Sequence, residues 1–434
     1  MSRAIRILVT LSMLAFTATA PAPVRGTSGS TLYVAYGDAL DSGPGTSCSD
    51  PGYRSEDQLA LYNALNDAAA GDTVHLCEGH WVFTNDGFYD AVPDNVTIQG
   101  LGAGRSVLDG NGSHYLLGIT TGTGIVVRGI TFHDGYEGSY AAGLYVLNAE
   151  VTVVACEFTE NWANEYGAAL SAQGSTVHVV SSHFQDNIAG FGAALVANDS
   201  TVTVTNSRFV ENNATDGRSG YGGAAIYNWG GSVSITGSTF VDNETASTGA
   251  GVMGYLGPVT ILNSSFVGNI ASQGPAVYSY GDDSDVIIKQ SRFIDNLNSA
   301  ADDGGAVTFE HNNSDLVMEN NLFQGNSGAT YGGAAEIWNV SGSIRVIGNT
   351  FRDNSAVEGG ALWIDIRGGT RDIQKNLFIG NRAAVGGAIA YECETIPARR
   401  ATALLTQQNR FGRNVATANR RTSNVYDSNY GCFY

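Results

Sequence analysis

The chain has 434 residues, of which 56 are glycine and 8 proline, with 43% hydrophobic and only 15% charged residues. Its 22 Lys and Arg against 41 Asp and Glu give a formal net charge of −19, a field that repels nucleic acid and anionic lipid and weighs against a polyanionic substrate. Length alone suggests about three domains, a prior that internal repeats override.

The first residues read MSRAIRILVTLSMLAFTATAPAPVRG. Arg3 and Arg6 precede an apolar run, Ile7–Ala18, that is too short to span a bilayer, and Ala18 and Ala20 offer an A-x-A site. This order predicts a secretory signal over residues 1–26, with cleavage open between Ala20, Ala22 and Gly26. Export predicts an oxidising compartment, and two disulfides are expected, Cys48–Cys77 and Cys393–Cys432, stapling the two ends of the molecule. Cys156 stands in a slot filled by Ser182, Ser207 and Ser238 further on, and is read as a buried thiol replacing a hydroxyl.

Residues 27–95 are expected to form an N-terminal cap and first strand. Asp57–Ala70 (DQLALYNALNDAAA) predicts an amphipathic capping helix with Leu61, Leu65 and Ala68 on one stripe. It leads into G-D-T-V-H-L-C, a strand, and Val96–Gly110 is expected to be the first full coil of a repeat that fills residues 96–434 together with a C-terminal cap. Arg399, Arg400, Arg410, Arg413, Arg420 and Arg421 make the last segment basic, which reads as a solvated final coil.

The repeat itself begins at Phe132. F-x-x-N recurs at Phe158/Asn161, Phe184/Asn187, Phe209/Asn212, Phe240/Asn243 and Phe266/Asn269, and continues to Phe411/Asn414. Phe132 and Phe158 are 26 residues apart (158 − 132), Phe184 and Phe209 25 (209 − 184). Before each Phe runs an alternating strand, such as Val202/Val204 or Val233/Ile235; even spacing places these pairs on one face. After each Asn comes a glycine turn and a second strand, as in G-G-A-V at Gly304–Val307 and G-G-A-L at Gly359–Leu362.

A period near 26 with three short strand-like pieces predicts a coil whose turns stack at the ~4.8 Å spacing of paired strands. Phe then lies on Phe, Asn on Asn as an amide ladder, and glycine serves the tight corner. The predicted fold is all-β, a single right-handed parallel β-helix of three-strand coils with an N-terminal capping helix.

The alternation of G-G-A-[ILV] with F-x-x-N, from about Phe132 to Asn414, resembles the repeats of the chlamydial polymorphic outer-membrane proteins. More broadly it resembles secreted bacterial right-handed β-helix proteins of the pectin-lyase-like superfamily. L-Y-V-A at Leu32–Ala35, G-T-S-C at Gly45–Cys48 and A-G-D-T-V at Ala70–Val74 are similar to the N-terminal layout of bacterial secreted members. The resemblance implies the fold and an extracellular or cell-surface location, and the same repeats serve adhesins. The polymorphic proteins end in a transmembrane autotransporter barrel. Here about twenty residues follow Asn414, too few for strands of ~10 residues repeated eight or more times, so release outside the cell or into a periplasm is expected.

Chemistry on a β-helix belongs to its lateral faces. Counting from the alanine of each G-G-A turn, the first and third positions should point inward, as in Val307/Phe309, Leu362/Ile364 and Ile389/Tyr391, and the second and fourth outward. The fourth position then reads Gln173, Asn198, Asn228, Tyr255, Tyr280, Glu310, Trp338, Asp365, Glu392, and the second includes Tyr278, Glu336 and Trp363. Aromatic faces pack on sugar rings and carboxylates serve hydroxyls, so Tyr278, Tyr280, Trp338 and Trp363 are candidate ligand-binding residues. Glu310, Glu336, Asp365 and Glu392 are the weaker catalytic candidates. Asp365 and Glu392 would stand ~5 Å apart and Glu336 and Asp365 about 8 Å, spacings that retaining and inverting glycosidases use. Outward positions also need polar or strand-favouring residues for solvation alone, and that plainer reading carries more weight.

The seven histidines show no metal spacing, and no phosphate loop or G-x-S-x-G elbow is present. No metal or other cofactor is expected. Asp282, Asp283 and Asp285, with Asp302 and Asp303, read as loop solvation, calcium being the weaker alternative. The expected protein is an exported monomer with a binding, adhesive or structural role, its partner a polysaccharide or cell-surface glycan. The alternative is a polysaccharide lyase or glycoside hydrolase using the carboxylates of that face.

Overall fold

A computed structural model describes residues 29–217, 222–282, 284–300, 304–310, 313–366, 370–393, 398–418 and 424–427. The expected signal, Cys432, Asp283, Asp302, Asp303, His311, Arg420 and Arg421 lie outside the described residues.

The N-terminal part is a small cap. Strands β1 (Thr31–Tyr36), β2 (Leu40–Ser47) and β3 (Asp50–Ser55) form its sheet, with β2 and β3 antiparallel and β3 parallel to β1. Helix α1 (Leu59–Asp67) turns Ala60, Leu61, Ala64 and Leu65 onto the open end of the core, which would otherwise expose unpaired strands and apolar rings. Cys48 and Cys77 form the expected disulfide, tying the β2–β3 corner to the first coil.

Stacking starts earlier than Val96. Strands β4 (Thr73–Leu76), β5 (Gly79–Val82) and β6 (Phe88–Asp90) pair in parallel with Thr97–Gln99, Ser106–Asp109 and Leu117–Ile119 respectively, so residues 73–90 already make a full coil. In the phenylalanine column Trp81 and Leu108 take the first two places and Phe132 the third. Among the described residues the columns run in register through sheets of 15 strands, the three cap strands included, 13 and 13, with short two-residue strands making a fourth face. The fold is a right-handed all-β solenoid, as expected. A second helix, α2 (Ala398–Thr406), precedes the final coil where only a solvated cap was expected. Among the described residues no helix is long and apolar enough to cross a membrane.

Like lies on like through the core. The phenylalanine rings from Phe132 to Phe411 stack with successive centroids 4.5–5.2 Å apart and planes within 10°. Each fully buried ring contributes about 2 kcal/mol of burial. The facing column passes from Val177 through Val202, Val233, Val259 and Val286 to Leu316 and Ile344 in direct register.

Buried asparagines hold the corner between the phenylalanine strands and the short strands. Asn187 Nδ2 donates to Asn212 Oδ1 at 2.9 Å and to the carbonyl of Phe158 at 3.0 Å, while its own Oδ1 accepts from Asn161 Nδ2 and from the Asn161 backbone N–H. The pattern repeats to Asn414, so from Asn187 onward each amide uses both donors and its oxygen twice, while on the first rung Asn161 Oδ1 accepts the Gly135 backbone N–H. A second ladder runs two residues before the phenylalanines, Ser182 N–H donating to Ser207 Oγ and so on to Ser291, whose N–H then donates to Asn321 Oδ1. Cys156 is its first rung. The thiol is buried, its backbone N–H donates to Ser182 Oγ, and burial pushes the Sγ pKa up to about 12.

Glycine is required at the corner before each G-A pair. Gly332 has φ +50, and a Cβ there would lie 2.0 Å from the carbonyl oxygen of Ala335.

Candidate functional site

Four positions on each strand after the glycine corner alternate as the pleat dictates. First and third positions enter the core, as Leu170 and Ala172 or Leu362 and Ile364 do, all fully buried. One residue shifts column. Register aligns Asn228 with Ala197 and Gly254, which makes it a third-position residue, and places Trp229 beside Tyr255 in the outward fourth column. The corner reads G-G-A-A, and the second alanine, Ala225, is the one that precedes the strand. Asn228 turns inward, buried, and its Nδ2 donates to the Gly231 carbonyl.

The second column is outward yet covered. The residue just before each positive-φ glycine, such as Tyr166, Phe191, Thr248 or Tyr331, aligns with its counterparts coil to coil and folds over it. Phe191, Val196, Tyr227, Met253 and Tyr278 form a satellite apolar cluster there, with Tyr166, Trp229 and Tyr255 packed against it. Tyr278 and Trp363 are accordingly only 5% and 3% exposed, their rings engaged in packing; Trp363 meets Tyr331 at 5.0 Å between centroids. Tyr280 and Trp338, in the fourth column, are 40% and 43% exposed.

Between this roof and the fourth column lies a cleft of about 200 Å³. Tyr140, Tyr166 and Trp229 supply its aromatic walls, and Ser171, Gln173, Val196 and Asn198 complete it. Tyr140 and Tyr166 stack at 5.8 Å with planes 20° apart. Beside them Tyr145 donates its hydroxyl proton to Gln173 Oε1 at 2.5 Å, fixing that amide, and burial raises the Tyr145 pKa to about 12. The cleft combines ring faces with neutral groups that both donate and accept hydrogen bonds.

The four candidate carboxylates sit elsewhere on the same face. Glu310 accepts the Tyr278 hydroxyl proton at 2.9 Å. Glu336 is buried and accepts the backbone N–H of Gly304 at 3.1 Å. Asp365 is completely buried within the electrostatic reach of Arg371. The Arg371 guanidinium donates to the carbonyls of Val340 and Gly342, and burial presses its pKa down to about 10 with Asp365 acting in the other direction. Glu392 is half-buried and is the register partner of Asp365.

Arg371 escaped the sequence reading because it occupies a core column, aligned with Ile344, where a charge must find a partner. Tyr140, Tyr166 and Trp229 were missed as well. The first two precede the strand rather than lie on it; an aromatic immediately before the glycine (Y-G-A-A, F-G-A-A, Y-G-G-A) was the available signal for Tyr166, whereas Tyr140 is followed by Ala141 and carries no such mark.

Among the described residues, Cys48, His75 and Cys77 bring potential ligand atoms within 4.8 Å of one another, but both sulfurs are spent in the disulfide. Of the acid cluster at 282–285, Asp285 accepts the backbone N–H of Asp315, and Asp315 in turn that of Ser343. These two carboxylates link successive coils just ahead of their strands.

No curated protein sequence matches the chain. Among solved structures, an alginate lyase from Paenibacillus sp. str. FPU-7 is similar at 13% identity and a TM-score of 0.32, over 86% of this chain and 97% of that one. A PL6 family polysaccharide lyase from Pseudopedobacter saltans is similar at 12% identity and a TM-score of 0.31, over 85% and 94%. The sequence model described as "Right handed beta helix region" matches residues 69–266 and 224–402. These stretches together span well over half of the chain, and they follow the coils traced above: the protein belongs to the right-handed β-helix family.

Proposed function

We propose that the protein is an exported carbohydrate-binding β-helix whose ligand enters the cleft walled by Tyr140, Tyr166 and Trp229. The observation that carries this reading is the combination, in one concave site, of aromatic rings with the Gln173 and Asn198 amides and the Ser171 hydroxyl. Sugars present an apolar ring face and a rim of hydroxyls, and such a site answers both. Export to an oxidising compartment is supported by the Cys48–Cys77 disulfide.

Binding is favoured over turnover by the carboxylates. Glu310 and Glu336 are tied to Tyr278 and Gly304, and Asp365 is sealed beside Arg371, away from the cleft lining. The test is a glycan array followed by titration calorimetry on the full chain and on Trp229→Ala. Binding that falls at least about tenfold in a variant that a circular-dichroism melt shows to be folded is expected. Release of reducing ends or unsaturated products from a bound polysaccharide would replace the binding module with an enzyme.

A further inference from the structure

We infer that the ligand is an uncharged polysaccharide laid along the helix axis, one sugar seated in the cleft and the following ones on the fourth-column aromatics. This rests on the glycan reading of the cleft and adds its charge class and direction.

Direction comes from what leaves the cleft. Trp229 is both a cleft wall and the first ring of an outward column that continues in register through Tyr255 and Tyr280 to Glu310 and Trp338. Trp229 and Tyr255 meet edge to face at 6.1 Å, and Tyr255 and Tyr280 stack at 5.8 Å with planes 13° apart. Four coil steps from Trp229 to Trp338 span roughly 19 Å. Tyr280 and Trp338 keep 40% and 43% of their surface in solvent, so the stripe is open to a ligand. The way across the strands is shut, because Tyr166 and Phe191 roof the second column. An extended chain starting in the cleft therefore has one exposed aromatic route, along the axis.

Charge class comes from the polar groups. Ser171, Gln173 and Asn198 are neutral, and among the described residues no lysine or arginine lines the cleft. The stripe adds only Glu310, and the chain carries a net charge of −19. A polyuronate would bring a carboxylate with each sugar into a site with no described cation to meet it, at a desolvation cost that nothing there offsets.

The experiment is calorimetry on the full chain with cello-, manno- and xylo-oligosaccharides of two to six sugars, and with oligogalacturonates and oligomannuronates of the same lengths. For at least one neutral series, affinity should rise about tenfold from dimer to tetramer and then level off, while uronates of equal length bind at least about tenfold more weakly. Tyr280→Ala should lower tetramer affinity several-fold and leave the dimer unchanged; a circular-dichroism melt shows that the variant is folded. Arg218→Ala controls for a cation supplied from residues 218–221, which lie outside the described residues. Uronate binding as tight as neutral binding, or equal dimer and tetramer affinities, overturns this inference. If Trp229→Ala still abolishes that binding, the cleft itself stands. Failure of every glycan to bind overturns both readings.

Discussion

Asn243 Nδ2 lies 2.9 Å from Asn269 Oδ1 on the next coil, and the same nitrogen donates to the carbonyl of Phe209 on the coil before. One side chain thus joins three consecutive coils. Asn243→Ala would strand the Asn212 N–H and take one bond each from the Phe209 carbonyl and from Asn212 Nδ2, which keeps the Phe184 carbonyl. With buried orphans costing roughly 1–3 kcal/mol each and partial relaxation, the expected loss is about 3–4 kcal/mol by urea unfolding. Asn414→Ala takes the same acceptor from the Asn381 N–H and Nδ2 and should cost a comparable amount.

Cys156 is expected to be inert. Burial holds its thiol pKa near 12, so at neutral pH it carries almost no thiolate. Ellman's reagent should leave it unmodified in the native protein and label it only after unfolding. Cys156→Ser restores the hydroxyl that the rest of the column uses and should change stability by less than about 1 kcal/mol. Rapid labelling of the folded protein would contradict this placement.

Reducing Cys48–Cys77, 29 residues apart, should weaken the cap by about 3 kcal/mol. Coils contact only their neighbours, so the loss should stay local. Limited proteolysis with and without reductant, read by mass spectrometry, should show new cuts within residues 37–56 and an intact stack beyond residue 97.

Glu319 gives a pH signature. Burial pushes its carboxyl pKa upward, but the Lys289 ammonium at 3.0 Å and the Arg345 guanidinium outweigh that and hold it below the ordinary 4.5. A depressed folded pKa contributes stability that is present above the unfolded value and lost as pH falls through the folded one. Glu319→Gln should therefore cost about 1 kcal/mol at pH 7, and the gap to the parent should close on acidification below about pH 4.5.

Glu336→Ala should destabilise the protein by roughly 1–3 kcal/mol, since it leaves the Gly304 N–H without this acceptor, while Glu336→Gln keeps an oxygen there and should behave like the parent. Glycan affinity of the folded Glu336→Ala protein should match the parent within about twofold. Lost binding at unchanged stability would instead make Glu336 part of the site.

The phenylalanine and asparagine columns were legible because stacking identical groups is how they are satisfied, and selection for that leaves F-x-x-N in plain view. Trp81 and Leu108 share the same column but were invisible, since apolar volume is all the position demands. Ala224 and Ala225 are both fully buried, so either could precede the strand, and only backbone register assigns Trp229 outward and Asn228 inward. The burial of Tyr278 and Trp363 was illegible for a different reason. It depends on residues before the glycine corner, and a strand-by-strand reading does not carry them onto the sheet. Helix α2 was hidden behind its arginines, which drew attention to charge; Leu405 on the same segment is fully buried.

Because neighbouring coils present nearly the same asparagine, phenylalanine and valine to one another, each joint in the stack is chemically interchangeable with the next. Duplicating residues 240–265 in tandem would create a junction that meets the partners already found at its own two ends. Gene duplication could thus lengthen such a molecule in whole steps without inventing a new interface, and the exposed aromatic stripe would grow like added graduations on a ruler.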